Sequence, residues 1–107
     1  MNTSTNITPL TNTQYQSMIN KLTDGSFQLF SDLAEDAGNW SGTPLFGGNV
    51  GGDAESKGHL THLKKIGMLT TFVDEDDRTC AWVEFTTLAK QFLLASGTFT
   101  QEEVSYL

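Results

Sequence analysis

The stretch Ser56–Leu94, SKGHLTHLKKIGMLTTFVDEDDRTCAWVEFTTLAKQFLL, carries the pattern that decides the fold. Leu60 and Leu63 stand at helical spacing and Gly67 follows as a glycine stop. This predicts a helix capped by Asp53 and running to about Ile66. Met68–Val73 and Cys80–Phe85 are rich in β-branched and aromatic residues, and the turn-like run DEDDRT separates them, so together they predict an antiparallel hairpin. Alternation places Leu69, Thr71 and Val73 on one face, opposite Met68, Thr70 and Phe72. On the second strand Trp82 and Glu84 oppose Ala81, Val83 and Phe85. Thr86 then caps a helix carrying Leu88, Phe92, Leu93 and Ala95, which Gly97 ends. A further cap at Thr100, with Glu103 three residues later, predicts a short terminal helical turn.

Two helices are expected upstream. Thr11-x-x-Gln14 has capping-box form and Leu10 can staple it, so the first helix spans about Asn12 to Leu22, burying Tyr15, Met18, Ile19 and Leu22. Thr23-Asp24-Gly25 should end it. Ser26 is then expected to cap a second helix reaching about Ala37, with Phe27, Phe30, Leu33, Ala34 and Ala37 on one face and Gly38-Asn39 as its stop. Residues 41–52, SGTPLFGGNVGG, hold five glycines and read as a loop anchored by Trp40, Leu45 and Phe46. That loop lacks the Gly-Lys-Ser/Thr ending and the preceding strand that a phosphate cradle requires. Residues 1–9 are rich in Asn, Thr and Ser and read as a flexible N-terminal arm. Residues 10–107 form a single domain, because a chain of 107 residues leaves no room for a second core.

Charge narrows the function classes. Six Lys and Arg stand against 13 Asp and Glu, for a net charge of −7, so a nonspecific grip on polyanions is not the default. The one cluster of positive charge is Lys57, Lys64 and Lys65, on the helix before the hairpin. Four consecutive acids, Asp74, Glu75, Asp76 and Asp77, occupy the hairpin turn, followed by Arg78. The single cysteine, Cys80, excludes an internal disulfide and fits a reducing, cytoplasmic setting. No basic segment leads into an apolar one at the N-terminus, and no apolar run reaches membrane-spanning length, so neither export by that route nor membrane embedding is expected.

The run Leu60-x-x-Leu63-Lys-Lys-Ile-Gly67-Met-Leu69, then a hairpin, then Val83-Glu-Phe85-Thr86-x-x-Ala89-Lys90, resembles winged helix-turn-helix domains of the MarR-like kind and small winged-helix proteins of phages and prophages. The likeness covers about residues 54–95. It implies a mainly α protein with a small β-hairpin, an α+β winged helix-turn-helix, in which the helix 53–66 faces the DNA groove. Lys57, Lys64 and Lys65 would then contact phosphates, and Thr61 or His62 a base edge. Arg78 would serve the hairpin, or wing, where the family offers basic residues to the DNA backbone. Two features depart from that pattern: Asp53 and Glu55 oppose phosphate approach at the N-terminal end of the helix, and Asp74 to Asp77 occupy the wing. At about 1 kcal/mol per charge pair at ~4 Å in water, four acids outweigh one arginine beside a phosphate rail. The resemblance also implies a homodimer paired through the terminal helices, here Tyr15 and the segment Phe92–Leu107 with Phe99, Val104, Tyr106 and Leu107.

Two functions follow from this pattern. One is a DNA-binding transcriptional regulator whose partner is double-stranded DNA. The alternative is a protein-interaction factor in which Asp74, Glu75, Asp76 and Asp77 imitate a phosphate row and meet a basic protein, as in a phage accessory protein or an inhibitor of a nucleic-acid-handling enzyme. Catalysis has little behind it. His59 and His62 stand at a metal-ligand spacing to which Cys80 or Asp53 could add a third group, but no further Cys or His supports a site, and no cofactor is expected. Glu35-Asp36 and Glu102-Glu103 are sequence neighbours that splay apart on a helix, and no serine or cysteine lies in a nucleophile-elbow motif.

Overall fold

Residues 6–40, 43–47, 50–73, 75, 76 and 80–107 are described by the structure, a computed structural model. The first helix, α1 (Asn12–Lys21), begins on the expected capping box: Thr11 Oγ1 accepts from the Gln14 N–H at 3.2 Å, and Gln14 Oε1 accepts from the Thr11 N–H at 2.9 Å. The second, α2 (Asp24–Trp40), is longer than its sequence suggests at both ends. Thr23 takes the capping place expected of Ser26. Its Oγ1 accepts from the Ser26 N–H at 3.1 Å, and Ser26 Oγ accepts from the Thr23 N–H at 3.0 Å. Asp24 and Gly25, expected to end α1, are instead the first turn of α2. At the other end Gly38-Asn39 does not stop the helix, which continues to Trp40. Ala34 and Ala37 are buried there, so packing on the core holds the last turn despite its glycine.

Within the stretch read as a loop lies a two-residue strand, β1 (Leu45–Phe46). Of the expected anchors Phe46 is buried and Leu45 half-buried, while the Trp40 side chain falls outside the described part of the chain. Helix α3 (Ala54–Lys65) starts at Asp53, whose Oδ1 accepts from the Ser56 N–H at 2.7 Å. Its end is a Schellman turn. The Met68 N–H reaches the Leu63 carbonyl at 3.0 Å and the Gly67 N–H reaches Lys64 at 3.1 Å, with Gly67 at φ 84°. Leu63 and Met68, which such a turn brings into contact, are both fully buried.

Strands β2 (Leu69–Val73) and β3 (Ala81–Phe85) pair antiparallel, and β1 adds to the other side of β3, giving the order β1-β3-β2. Leu69 opposite Phe85 and Thr71 opposite Val83 face the core; Thr70 opposite Glu84 and Phe72 opposite Trp82 face out. Thr86 joins the hairpin to α4 (Thr87–Ser96). Its Oγ1 accepts from the Ala89 N–H at 3.2 Å, while its proton is shared between the carbonyls of Gly67 at 2.6 Å and Met68 at 3.1 Å. Thr100 and Glu103 form the second capping box, at the start of α5 (Gln101–Val104). Residues 1–5 of the expected arm lie outside the described residues; residues 6–9 are neither helix nor strand, and Gln101 grips Ile7 through both backbone groups, at 3.0 and 2.6 Å. The fold is thus mainly helical with one small three-stranded antiparallel sheet.

Phe30 organises the core. Its ring meets Phe85 and Phe92 edge-on, each at a centroid distance of 5.8 Å, joining α2 to β3 and α4; Tyr15 of α1 stacks on Phe92 at 5.0 Å. Around them Leu33, Leu63, Met68, Val83 and Ala89 have no solvent exposure. Helices α2 and α3 also pack closely, and their crossing is tight at one point: a Cβ on Gly25 would overlap the imidazole of His59. Replacing Gly25 by Ala is therefore expected to destabilise the protein by about 1–3 kcal/mol through overpacking. A Gly25→Ala/His59→Ala double variant should recover most of that loss. Urea unfolding of the four-member cycle measures the coupling, and strict additivity would show that the ring contact is not the cause.

Candidate functional site

The basic helix α3 has two faces, set by which residues α2 and the sheet cover. Leu60 and Leu63 are buried, while His59, His62 and Ser56 are half-buried beside them. His62 Nδ1 lies 3.1 Å from Oγ of Ser26, which is itself completely buried in α2. On the opposite arc Ala54, Lys57, Gly58, Thr61, Lys64 and Lys65 are all exposed. A helical repeat of 3.6 residues brings these six onto one side: Lys57 and Lys64 border one edge of a strip formed by Ala54, Gly58 and Thr61, Lys65 stands in line with that strip, and Glu55, also exposed, lies beyond its other edge.

Of the residues expected to meet DNA, Lys57, Thr61, Lys64 and Lys65 are thus brought together on an exposed surface. His62 is turned to the flank and held against Ser26. The Thr61 hydroxyl donates to the Lys57 carbonyl at 3.0 Å, which leaves its oxygen lone pairs, not its proton, for a partner. Asp74, Asp77 and Arg78 lie outside the described residues; Glu75 and Asp76 are exposed at the hairpin tip. The tip also has an apolar component that alternation alone did not reveal. Phe72 is 50% and Val73 52% exposed, and on the outer face Leu45, Trp82 and Phe72 line up across all three strands.

Gly58, inside α3, is a residue of low helix propensity. In the structure nothing lies within 4 Å of a Cβ built there, so no intramolecular contact requires glycine. The residues expected to pair subunits are divided: Phe92 and Val104 belong to the chain's own core, Tyr15, Phe99 and Leu107 are half-buried, and Tyr106 is 55% exposed. Among the described residues no group of three His, Cys, Asp or Glu side chains is placed to hold a metal ion, and no helix is long and apolar enough to cross a membrane.

Electrostatics at the start of α3 centre on Asp53. Hydrogen bonds from Ser56, first from its side chain and then from its backbone N–H, hold the Asp53 carboxyl below its usual range. A folded-state value below the unfolded one means that the cap contributes stability above the unfolded carboxylate range and loses it as pH falls through the lowered folded value. Asp53→Ala should therefore lower the thermal midpoint near neutral pH, and the gap to the wild type should close in strong acid. Thermal unfolding followed by circular dichroism across that range measures it; a gap independent of pH would contradict the assignment. Gly58→Ala is expected to stabilise the protein by about 0.5–1 kcal/mol, the helix-propensity gain at an open position, as read from urea unfolding. Comparison of the chain with family models, curated proteins and solved structures finds no match.

Proposed function

We propose that the protein is a winged-helix DNA-binding protein acting as a transcriptional regulator, with α3 as the helix that enters the major groove. The observation that carries this reading is the exposed arc of α3, where Lys57, Lys64 and Lys65 stand beside small residues on a chain whose net charge is otherwise negative. Lysines on this face can neutralise phosphates along one side of a groove, and the small residues beside them let the helix backbone approach base edges. The strand order β1-β3-β2 and the hairpin directly after α3 agree with a wing beside a recognition helix. The helix packed against α3 is α2, which precedes β1; residues 47–53, between β1 and α3, are not helical where described. The helix pair therefore forms across a long connection, without the short turn of most such domains.

A second reading draws on a different surface. Exposed Phe72 and Val73, beside exposed Glu75 and Asp76, combine apolar area with negative charge at the hairpin tip. That pairing favours a basic protein as the partner, with Asp74 to Asp77 as the recognised acids.

Titration of a fluorescent duplex over a range of salt concentrations separates the two. On the DNA reading the slope of log Kobs against log salt is about −0.9 per phosphate neutralised, so roughly −3 for three lysines. Lys64→Ala/Lys65→Ala should bring it near −1 and weaken binding uniformly across sequences. Absence of duplex binding at low salt overturns this reading. Retention of a basic protein that is lost when the four acids are replaced by alanine then supports the second.

A further inference from the structure

A groove of about 520 Å³, away from the α3 surface, is lined by residues of α1, α2, α4 and α5 and of the turn at Thr98 and Phe99. Tyr15, Phe27, Phe30, Phe92, Phe99 and Tyr106 line it, so six of the chain's eleven aromatic residues converge on one place. The edge-to-face contact of Phe30 with Phe92, and the stacking of Tyr15 on Phe92, fix the inner rings. Phe27 and Tyr106 stay 42% and 55% exposed, an unusual state for two large rings lining one cavity.

The charged groups around these rings are negative, while the hydroxyls of Tyr15, Ser31 and Tyr106 can donate or accept. Both charged lining residues, Glu35 and Glu103, are carboxylates, and among the described residues no lysine or arginine lines the groove. Glu103 is oriented by the Thr100 N–H, which its Oε1 accepts at 2.9 Å. The Ser96 hydroxyl donates to the Leu93 carbonyl at 2.7 Å, which leaves Thr98 as the donor in the 2.8 Å contact between the two side chains. Both protons are therefore used internally, and the lone pairs of Thr98 remain for an occupant. Aromatic faces, carboxylates and hydroxyl lone pairs together attract positive charge and repel negative charge.

We propose that this groove binds a small amphipathic organic cation: an aromatic or aliphatic body carrying a quaternary or protonated nitrogen. The body would lie among the rings and the nitrogen near Glu35 or Glu103, and the volume falls within the range of ~300–1,000 Å³ usual for small-ligand sites. A second copy of this chain fits less well, since it would bring a net charge of −7 toward these carboxylates.

Three probes of similar shape test the charge preference: naphthylmethyl-trimethylammonium, naphthylmethanol and naphthalenesulfonate, each titrated into the full chain by calorimetry and by backbone amide NMR. The cation is expected to bind roughly tenfold more tightly than the alcohol, and the sulfonate more weakly than either. Amide shifts should centre on Ser31, Gly38 and Thr98. Glu35→Gln, a change at an exposed side chain, should reduce cation affinity about three- to tenfold and leave the alcohol unchanged, whereas Phe27→Ala should weaken both. Equal affinity for all three probes, preference for the sulfonate, shifts confined to other surfaces, or a dimer whose interface shields the groove would each overturn the proposal.

Discussion

The close crossing of α2 over α3 is the constraint on which the arrangement of the molecule turns. Gly25 removes the side chain that would keep the helices apart, and the His59 imidazole occupies the space. One turn along, His62 Nδ1 meets the buried hydroxyl of Ser26. These contacts fix the rotation of α3 about its own axis. With His59, His62, Leu60 and Leu63 committed inward, helical geometry leaves Lys57, Thr61, Lys64 and Lys65 outward. The same Ser26 completes the Thr23 cap that starts α2, so the first turn of one helix and the orientation of the other share a single hydroxyl.

The remaining elements are held to this pair by a small number of joints. Phe30 bridges α2 to β3 and α4, and Thr86 ties the end of the hairpin to the turn at Gly67. That turn ends α3 and begins β2, so the basic helix, the hairpin and α4 are positioned through two consecutive backbone carbonyls.

Charge and apolar exposure are unevenly distributed over the result. Positive charge gathers on one arc of α3, the exposed acids Glu75 and Asp76 mark the hairpin tip, and uncovered aromatic area appears both at the outer sheet face and in the groove near α5. The proposed partners divide accordingly: a phosphate rail for α3, a basic protein for the hairpin tip, and an organic cation for the groove. Their separation on the molecule allows each to be altered without touching the others.

Features encoded within a few residues are legible in the sequence itself. The caps at Thr11, Asp53, Thr86 and Thr100 and the Gly67 stop are made by hydrogen bonds spanning three to five positions, so residue type and spacing determine them. The hairpin and the division of its residues between two faces likewise follow from alternation, whereas which face turns inward does not. Tertiary structure decided the rest. Strand β1 exists because Leu45 and Phe46 meet Trp82 and Ala81 far along the chain; α2 outlasts Gly38 because its buried alanines are packed; and Ile7 is tied by Gln101, 94 residues away. Within α3 the sequence by itself determined a basic amphipathic helix. Whether His62 or Lys57 faced outward depended on the imidazole-sized gap at Gly25 and the hydroxyl of Ser26, groups on another helix that local spacing does not encode.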